Sequence, residues 1–160
     1  MPQINAFLTF NNQAEEAARF YTSVFPNSKI TRVSRYPDLG PKSPFKTGSV
    51  MTVEFVLDGR EFTALNGGPQ FTFNQGISIS VICETQQQVD EYWGKFVAAG
   101  GKPVACGWIT DHFGVSWQID PKILIDMVSG TDPVKSAKAM AAMMTMVKID
   151  GEQIKRAVAE

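Results

Sequence analysis

The residues best suited to chemistry gather between Cys106 and Asp120. This stretch, CGWITDHFGVSWQID, holds the only histidine, His112, and two of the three tryptophans. Asp111 beside His112 could act as an acid–base pair, the carboxylate orienting the imidazole or holding its charge. The competing reading, and the favoured one, is a turn histidine before Gly114 that points into water. Cys106, His112 and a carboxylate could also meet across a turn and hold a transition metal. A two-histidine-one-carboxylate site is out of reach with one histidine, and Cys83 and Cys106 read as small core residues. Glu54, within SVMTVEFVL, is a further candidate for proton transfer.

Other chemistries lack their motifs. No GxxxxGK[ST] loop, no GxGxxG between a strand and a helix and no GxSxG elbow occurs. The net charge is −1 with no run of lysine or arginine, so no nucleic-acid partner is expected. No segment approaches the roughly 20 apolar residues of a membrane span, and the first residues lack the pattern of a secretory signal. Two cysteines outside any CxxC pair suit a reduced, cytoplasmic setting. No cofactor is expected. At 160 residues, 44% hydrophobic and 19% charged, the chain can bury a core of ordinary size.

The elements that must position these residues follow from periodicity. INAFLTF (4–10) is extended, and Asn11 or Asn12 can cap the helix QAEEAARFYTSVF, whose Ala14, Ala17, Ala18, Tyr21 and Phe25 share one face. SKITRVSRY (28–36) reads as a strand. The Pro- and Gly-rich PDLGPKSPFKTG is a loop long enough to act as a flap. SVMTVEFVL and REFTALN flank Asp58-Gly59, a strong hairpin signal. ISISVIC (77–83) alternates, with Ile77, Ile79 and Val81 on one side. TQQQVDEYWGKFVAA is a second helix capped by Thr85 and stopped at Gly100-Gly101.

The two halves repeat one pattern of strand, polar cap, helix with an aromatic pair, breaker and strand. The pairs are Phe20-Tyr21 and Tyr92-Trp93. A duplicated β-α-β-β unit fits this better than one doubly wound sheet. After PKILIDMVSG, Thr131 or Asp132 caps VKSAKAMAAMMTMV, a helix apolar on two sides. It either packs on its own domain or makes a dimer contact. Asp150 can cap the last helix.

On the strands, polar residues oppose apolar ones. Thr52, Glu54, Ser78, Ser80 and Gln118 share faces turned away from the helices. They line a trough if the strands curl, with Phe7, Trp108 and Phe113 as aromatic walls; otherwise they form open, solvated faces.

Four stretches carry a resemblance: FLTFNNQAEEAARFY, FTALNGGPQF, CGWITDHFGVSWQID and AMAAMMTMVKIDGEQIKRA. They resemble the PhnB-like branch, labelled 3-demethylubiquinone-9 3-methyltransferase, of the glyoxalase/bleomycin-resistance/dioxygenase (vicinal oxygen chelate) superfamily. The resemblance implies an α+β fold of two paired βαβββ modules forming an open cleft, in a homodimer. The modules would span about 1–70 and 76–120, with a helical extension over about 121–160.

In metal-using members the ligands come from the first strand of each module and a Glu near each module's last strand. These positions fall around Asn5 to Phe7 and Ile77 to Ser78, on Gln118 and, by a looser match, on Asn66. A neutral amide is a poor ligand for a divalent cation, so no metal is expected. The methyltransferase label requires a methyl-donor site, and no strand–Gly-rich loop–helix for one is present. The expected function is binding of a small organic ligand in a cleft of Phe7, Thr9, Glu54, Asn66, Ser78, Trp108, Phe113 and Gln118. The alternative is an enzyme using Glu54 or Asp111 and His112 for proton transfer. A third reading, a pure dimerisation module, rests on the methionine-rich tail.

Overall fold

Short strands with alternating burial and helices with one apolar face build two units, the first running to Thr72 and the second starting at Phe73. The computed structural model describes Pro2 and residues 4–160. The first unit runs β1 (Ala6–Phe10), α1 (Ala14–Val24), β2 (Lys29–Arg35), β3 (Val50–Leu57) and β4 (Arg60–Asn66). The second runs β5 (Ile79–Cys83), α2 (Gln86–Ala98), β6 (Lys102–Pro103), β7 (Trp108–Thr110) and β8 (Ser116–Pro121). Helices α3 (Lys122–Val128), α4 (Pro133–Met143) and α5 (Gly151–Ala159) follow it. The sheets have the same order, β1-β4-β3-β2 and β5-β8-β7-β6. In each, the first strand lies parallel to the last and the other pairs are antiparallel. The duplication read from the sequence is thus a repeat of βαβββ.

In the first unit Leu8, Phe10, Val53, Phe55, Leu57, Phe62 and Ala64 are buried on the sheet face that takes α1. Helix α1 answers with Ala14, Ala17, Ala18 and Tyr21, all fully buried. Three alanines let the helix approach closely, and Tyr21 reaches Phe55 at 6.2 Å between ring centroids. Asp58 and Gly59, both at positive φ (43° and 80°), join β3 to β4 as a two-residue hairpin turn requires.

The start of α1 differs from expectation. Neither Asn11 nor Asn12 caps it; Gln13 occupies the cap position without a side-chain hydrogen bond. The work passes to Asn66 at the end of β4, whose Oδ1 accepts from Ala14 N at 2.8 Å while its Nδ2 donates to Val50 O at 3.1 Å. One side chain therefore ties a helix start to two strands.

In the second unit Val89, Tyr92, Trp93 and Phe96 of α2 are buried, as are Ile109, Trp117 and Ile119 of the sheet. The Phe96 and Trp117 rings lie 5.0 Å apart. Thr85 caps α2 through Gln88 N at 3.2 Å. The expected strand 77–83 begins later, at Ile79. Ile77, assigned to the inward side, lies before the strand and is 81% exposed.

Asp132 and Asp150 cap α4 and α5. Leu124, Ala139, Ile149 and Ile154 form a separate cluster with Met127, Met143 and Met146 against it. Helix α4 thus packs on its own unit, while Val134, Met140 and Met144 remain exposed.

Replacing Asn66 by Ala orphans the first amide of α1, and the expected cost is about 1–2 kcal/mol of stability. Asn66→Asp, which keeps the acceptor, should lose less. Urea unfolding monitored by tryptophan fluorescence checks both, and an Asn66→Ala midpoint equal to wild type would remove Asn66 from the cap.

Candidate functional site

On the first sheet, Phe7 pairs with Thr63 and Thr9 with Leu65 across β1–β4, while Glu54 pairs with Thr63 across β3–β4. Directly opposed residues share a face, so Phe7, Thr9 and Glu54 lie together on the side away from α1. Phe7 is 57% exposed there. Glu54 is held by Arg32 of β2 at 3.6 Å, its register partner. Asn66 stands one residue past Leu65, so it turns to the helix side and its amide is spent on Ala14 and Val50.

On the second sheet, Gln118 opposes Trp108 of β7 and lies in register with Ser80 of β5. Its Nε2 donates to Ser78 Oγ at 2.7 Å. Trp108, Gln118 and Ser78 are thereby brought onto one face. Trp117, on the opposite face, is fully buried.

Asp111 has a role that residue types alone did not give. It is buried, its Oδ1 accepts from Phe113 N and Val115 N at 2.9 Å each, and its Oδ2 accepts from Trp117 Nε1 at 2.9 Å. Gly114 N also donates to Asp111 O at 3.0 Å, and Gly114 holds φ 94°. The carboxylate clamps the turn and fixes the core indole. His112 is exposed, its ring 3.8 Å from that of Phe113. The Asp111 carboxylate is thus engaged by backbone amides and the Trp117 indole, whereas His112 lies at the surface.

The first unit also contains a pocket of about 540 Å³. It lies among the start of α1 (Asn11 and Asn12 just before the helix, Glu15 in its first turn), the loop after β2 (Tyr36, Phe45, Lys46) and the turn after β4. Its wall is firm. Tyr36 stacks on Phe45 with centroids 4.2 Å apart and planes 5° from parallel, and Tyr36 Oη donates to Asn66 O at 2.6 Å. The loop that closes it is the Pro- and Gly-rich segment anticipated as a flap, anchored by Tyr36 N to Ser49 O and Gly48 N to Tyr36 O, each 2.9 Å. Of the eight expected cleft residues only Asn66 lines this pocket. The others missed it because their strand pattern points to sheet faces, whereas the pocket is made by loops.

The sequence pattern of the 3-demethylubiquinone-9 3-methyltransferase family matches residues 2–120. The chain belongs to this family. A solved PhnB protein from Bacillus cereus is 36% identical, the match covering 75% of this chain and 99% of that one with a TM-score of 0.66. Protein PA1353 from Pseudomonas aeruginosa is 21% identical over 76% of this chain and 98% of its own, with a TM-score of 0.61. The fosfomycin resistance protein FosX from Listeria monocytogenes, solved with Mn(II) and sulfate, shares the fold at 13% identity and a TM-score of 0.50, covering 72% and 86%. No curated protein matches the sequence. This PhnB-like member therefore has the glyoxalase (vicinal oxygen chelate) fold, and its residues after Asp120 lie outside the matched family segment.

The donor set does not suit a chelated divalent ion. The amide of Gln118 is bonded to Ser78. Phe7 lies on β1 and Ser78 just before β5, neither of them an acidic or imidazole donor, and Glu54 is paired with Arg32. Among the described residues no group of three or more His, Cys, Asp or Glu side chains could hold a metal.

Asp111→Ala leaves three donors without their acceptor, one of them a buried indole, and should cost about 3 kcal/mol. His112→Ala should stay within about 0.5 kcal/mol of wild type. Denaturant unfolding of the two variants separates the roles. Equal losses would return His112 to a joint function with Asp111.

Proposed function

We propose that this family member binds a small organic ligand, partly aromatic and anionic, without a chelated metal. The observation that carries the reading is the pocket of about 540 Å³ in the first unit, a size ordinary for small-molecule sites. Its chemistry selects the ligand. The stacked Tyr36–Phe45 pair offers an aromatic wall. Pro44, Val50 and Pro69 add apolar surface, and the amides of Asn11 and Asn12 add polar ends. Glu15 is already neutralised by Arg19 at 2.6 Å. Lys46 has no ion pair among the described residues, which leaves its ammonium for an anion. An aromatic carboxylate satisfies the wall, the amides and the lysine together. The aromatic-plus-polar faces carrying Phe7, Thr9 and Glu54 in one unit, and Ser78, Trp108 and Gln118 in the other, fit the same class of ligand.

The test is a titration with 4-hydroxybenzoate followed by amide chemical shifts. Saturable shifts should centre on Asn12, Lys46 and Gly68. Lys46→Gln should weaken binding about two- to fivefold, and Phe45→Ala about two- to tenfold. No saturable shift, or shifts unaffected by either substitution, would overturn the pocket as the site.

The metal-free half of the reading has its own check. Millimolar Mn²⁺ or Zn²⁺ should move the melting temperature by less than about 1 °C, because tight binding to the folded state alone would raise it by several degrees. A large rise that is lost in Gln118→Ala would restore a chelate site.

A further inference from the structure

Where the second unit's sheet meets its helical extension, a carboxyl group is buried with one oxygen unsatisfied. Asp120, on β8, is 4% exposed, and its Oδ1 has no hydrogen-bond partner among the described residues. Gly107 is what covers it. A Cβ at Gly107 would lie 2.2 Å from Asp120 Oδ1 and 3.1 Å from Ile149 Cγ1, so bare glycine backbone, at φ 80°, packs against both the carboxyl and Ile149 of the extension. The extension holds that layer down. Gly107 N donates to Val147 O and Cys106 N to Met146 O, each at 2.8 Å, and Ile149 is fully buried.

We infer that Asp120 is a proton-operated clasp for the C-terminal extension. With the carboxyl protonated, residues 146–149 stay seated on Gly107. With it ionised, they lift and water reaches the charge. A buried carboxylate needs either a cation or water, and no cation is paired with Asp120 among the described residues. Cys83 of β5 feels the charge of Asp120, but burial, and next that charge, push its thiol up to about 12, so it stays neutral. On the extension, Lys148 is taken by Asp90, and Asp150 is turned to the Glu152 and Gln153 amides of α5. Ser116, also on β8, has a hydroxyl buried without a partner, and it carries no charge.

Burial pushes the Asp120 carboxyl up to about 6, whereas a water-exposed aspartate titrates near 3.9. The seated state thus holds the proton more tightly than the lifted one. Seating is complete below about pH 4, weakens as pH rises towards about 6, and above that carries the full penalty of roughly 100-fold, from about two units of difference.

Hydrogen exchange of the Cys106 and Gly107 amides reads this directly. After correction for intrinsic rates, their protection should fall by up to roughly tenfold between pH 5 and pH 8, while amides in the β5–β8 ladder keep theirs. In Asp120→Asn the fall should vanish. Unchanged protection in wild type, a fall that persists in Asp120→Asn, or an equal fall across the ladder would each overturn the clasp. Should Asp120→Asn not fold, carbon-13 titration of the wild-type Asp120 carboxyl decides. Its midpoint must coincide with the pH at which the loss of protection levels off, and a mismatch rejects the proposal.

Discussion

In each unit the first strand runs parallel to the last, and that pairing governs which residues can meet. A parallel neighbour cannot be reached by a tight turn, so the chain crosses over through a helix and two intervening strands before returning. The register between β1 and β4, from Ala6 with Phe62 to Phe10 with Asn66, then decides the faces. A slip of one residue would send Leu8 and Phe10 to solvent and Phe7 and Thr9 against α1. Asn66 stabilises this register by being spent twice, on the first amide of α1 and on the carbonyl of Val50. The second unit repeats the topology with Thr85, a local residue, as the cap of its helix. The two halves solve one problem, the start of a crossover helix, by different means.

Much of the fold was legible because its signals are local. The Asp58-Gly59 turn, the caps at Thr85, Asp132 and Asp150, and the alternation of β3 and β4 each depend on residues close in sequence. What escaped was long-range or purely geometric. Asn66 caps a helix that starts 52 residues earlier, and no local pattern competes with the two asparagines standing in front of that helix. Ile77 alternates correctly with Ile79, yet the ladder to β8 begins only at Ile79. Alternation cannot tell where a partner strand starts.

The site was legible to a different degree. Strand parity put Thr52, Glu54, Ser78, Ser80 and Gln118 on the polar faces of their strands, and Phe7 and Trp108 entered only as aromatic walls. Asp111 escaped because a carboxylate before a histidine suggests catalysis, while three donors converging on it from a turn and a core indole leave no sequence signature beyond the following glycine. The pocket escaped because loops form it. A stacked Tyr36–Phe45 pair across a Pro-rich segment has no period to detect.

The extension has a consequence for how the chain is made. Gln86, in the first turn of α2, donates to Ile149 O at 2.9 Å and accepts from Gly151 N at 2.9 Å, and Leu124 packs with Ile149 and Ile154. These contacts join the beginning of α2 to residues more than sixty positions later. A ribosome delivers those residues later, at about 5–20 residues per second. For several seconds the nascent second unit therefore holds Gln86 without its partners at Ile149 and Gly151 and Leu124 without Ile149 and Ile154, so its closure waits on synthesis of the extension while the first unit can already be complete.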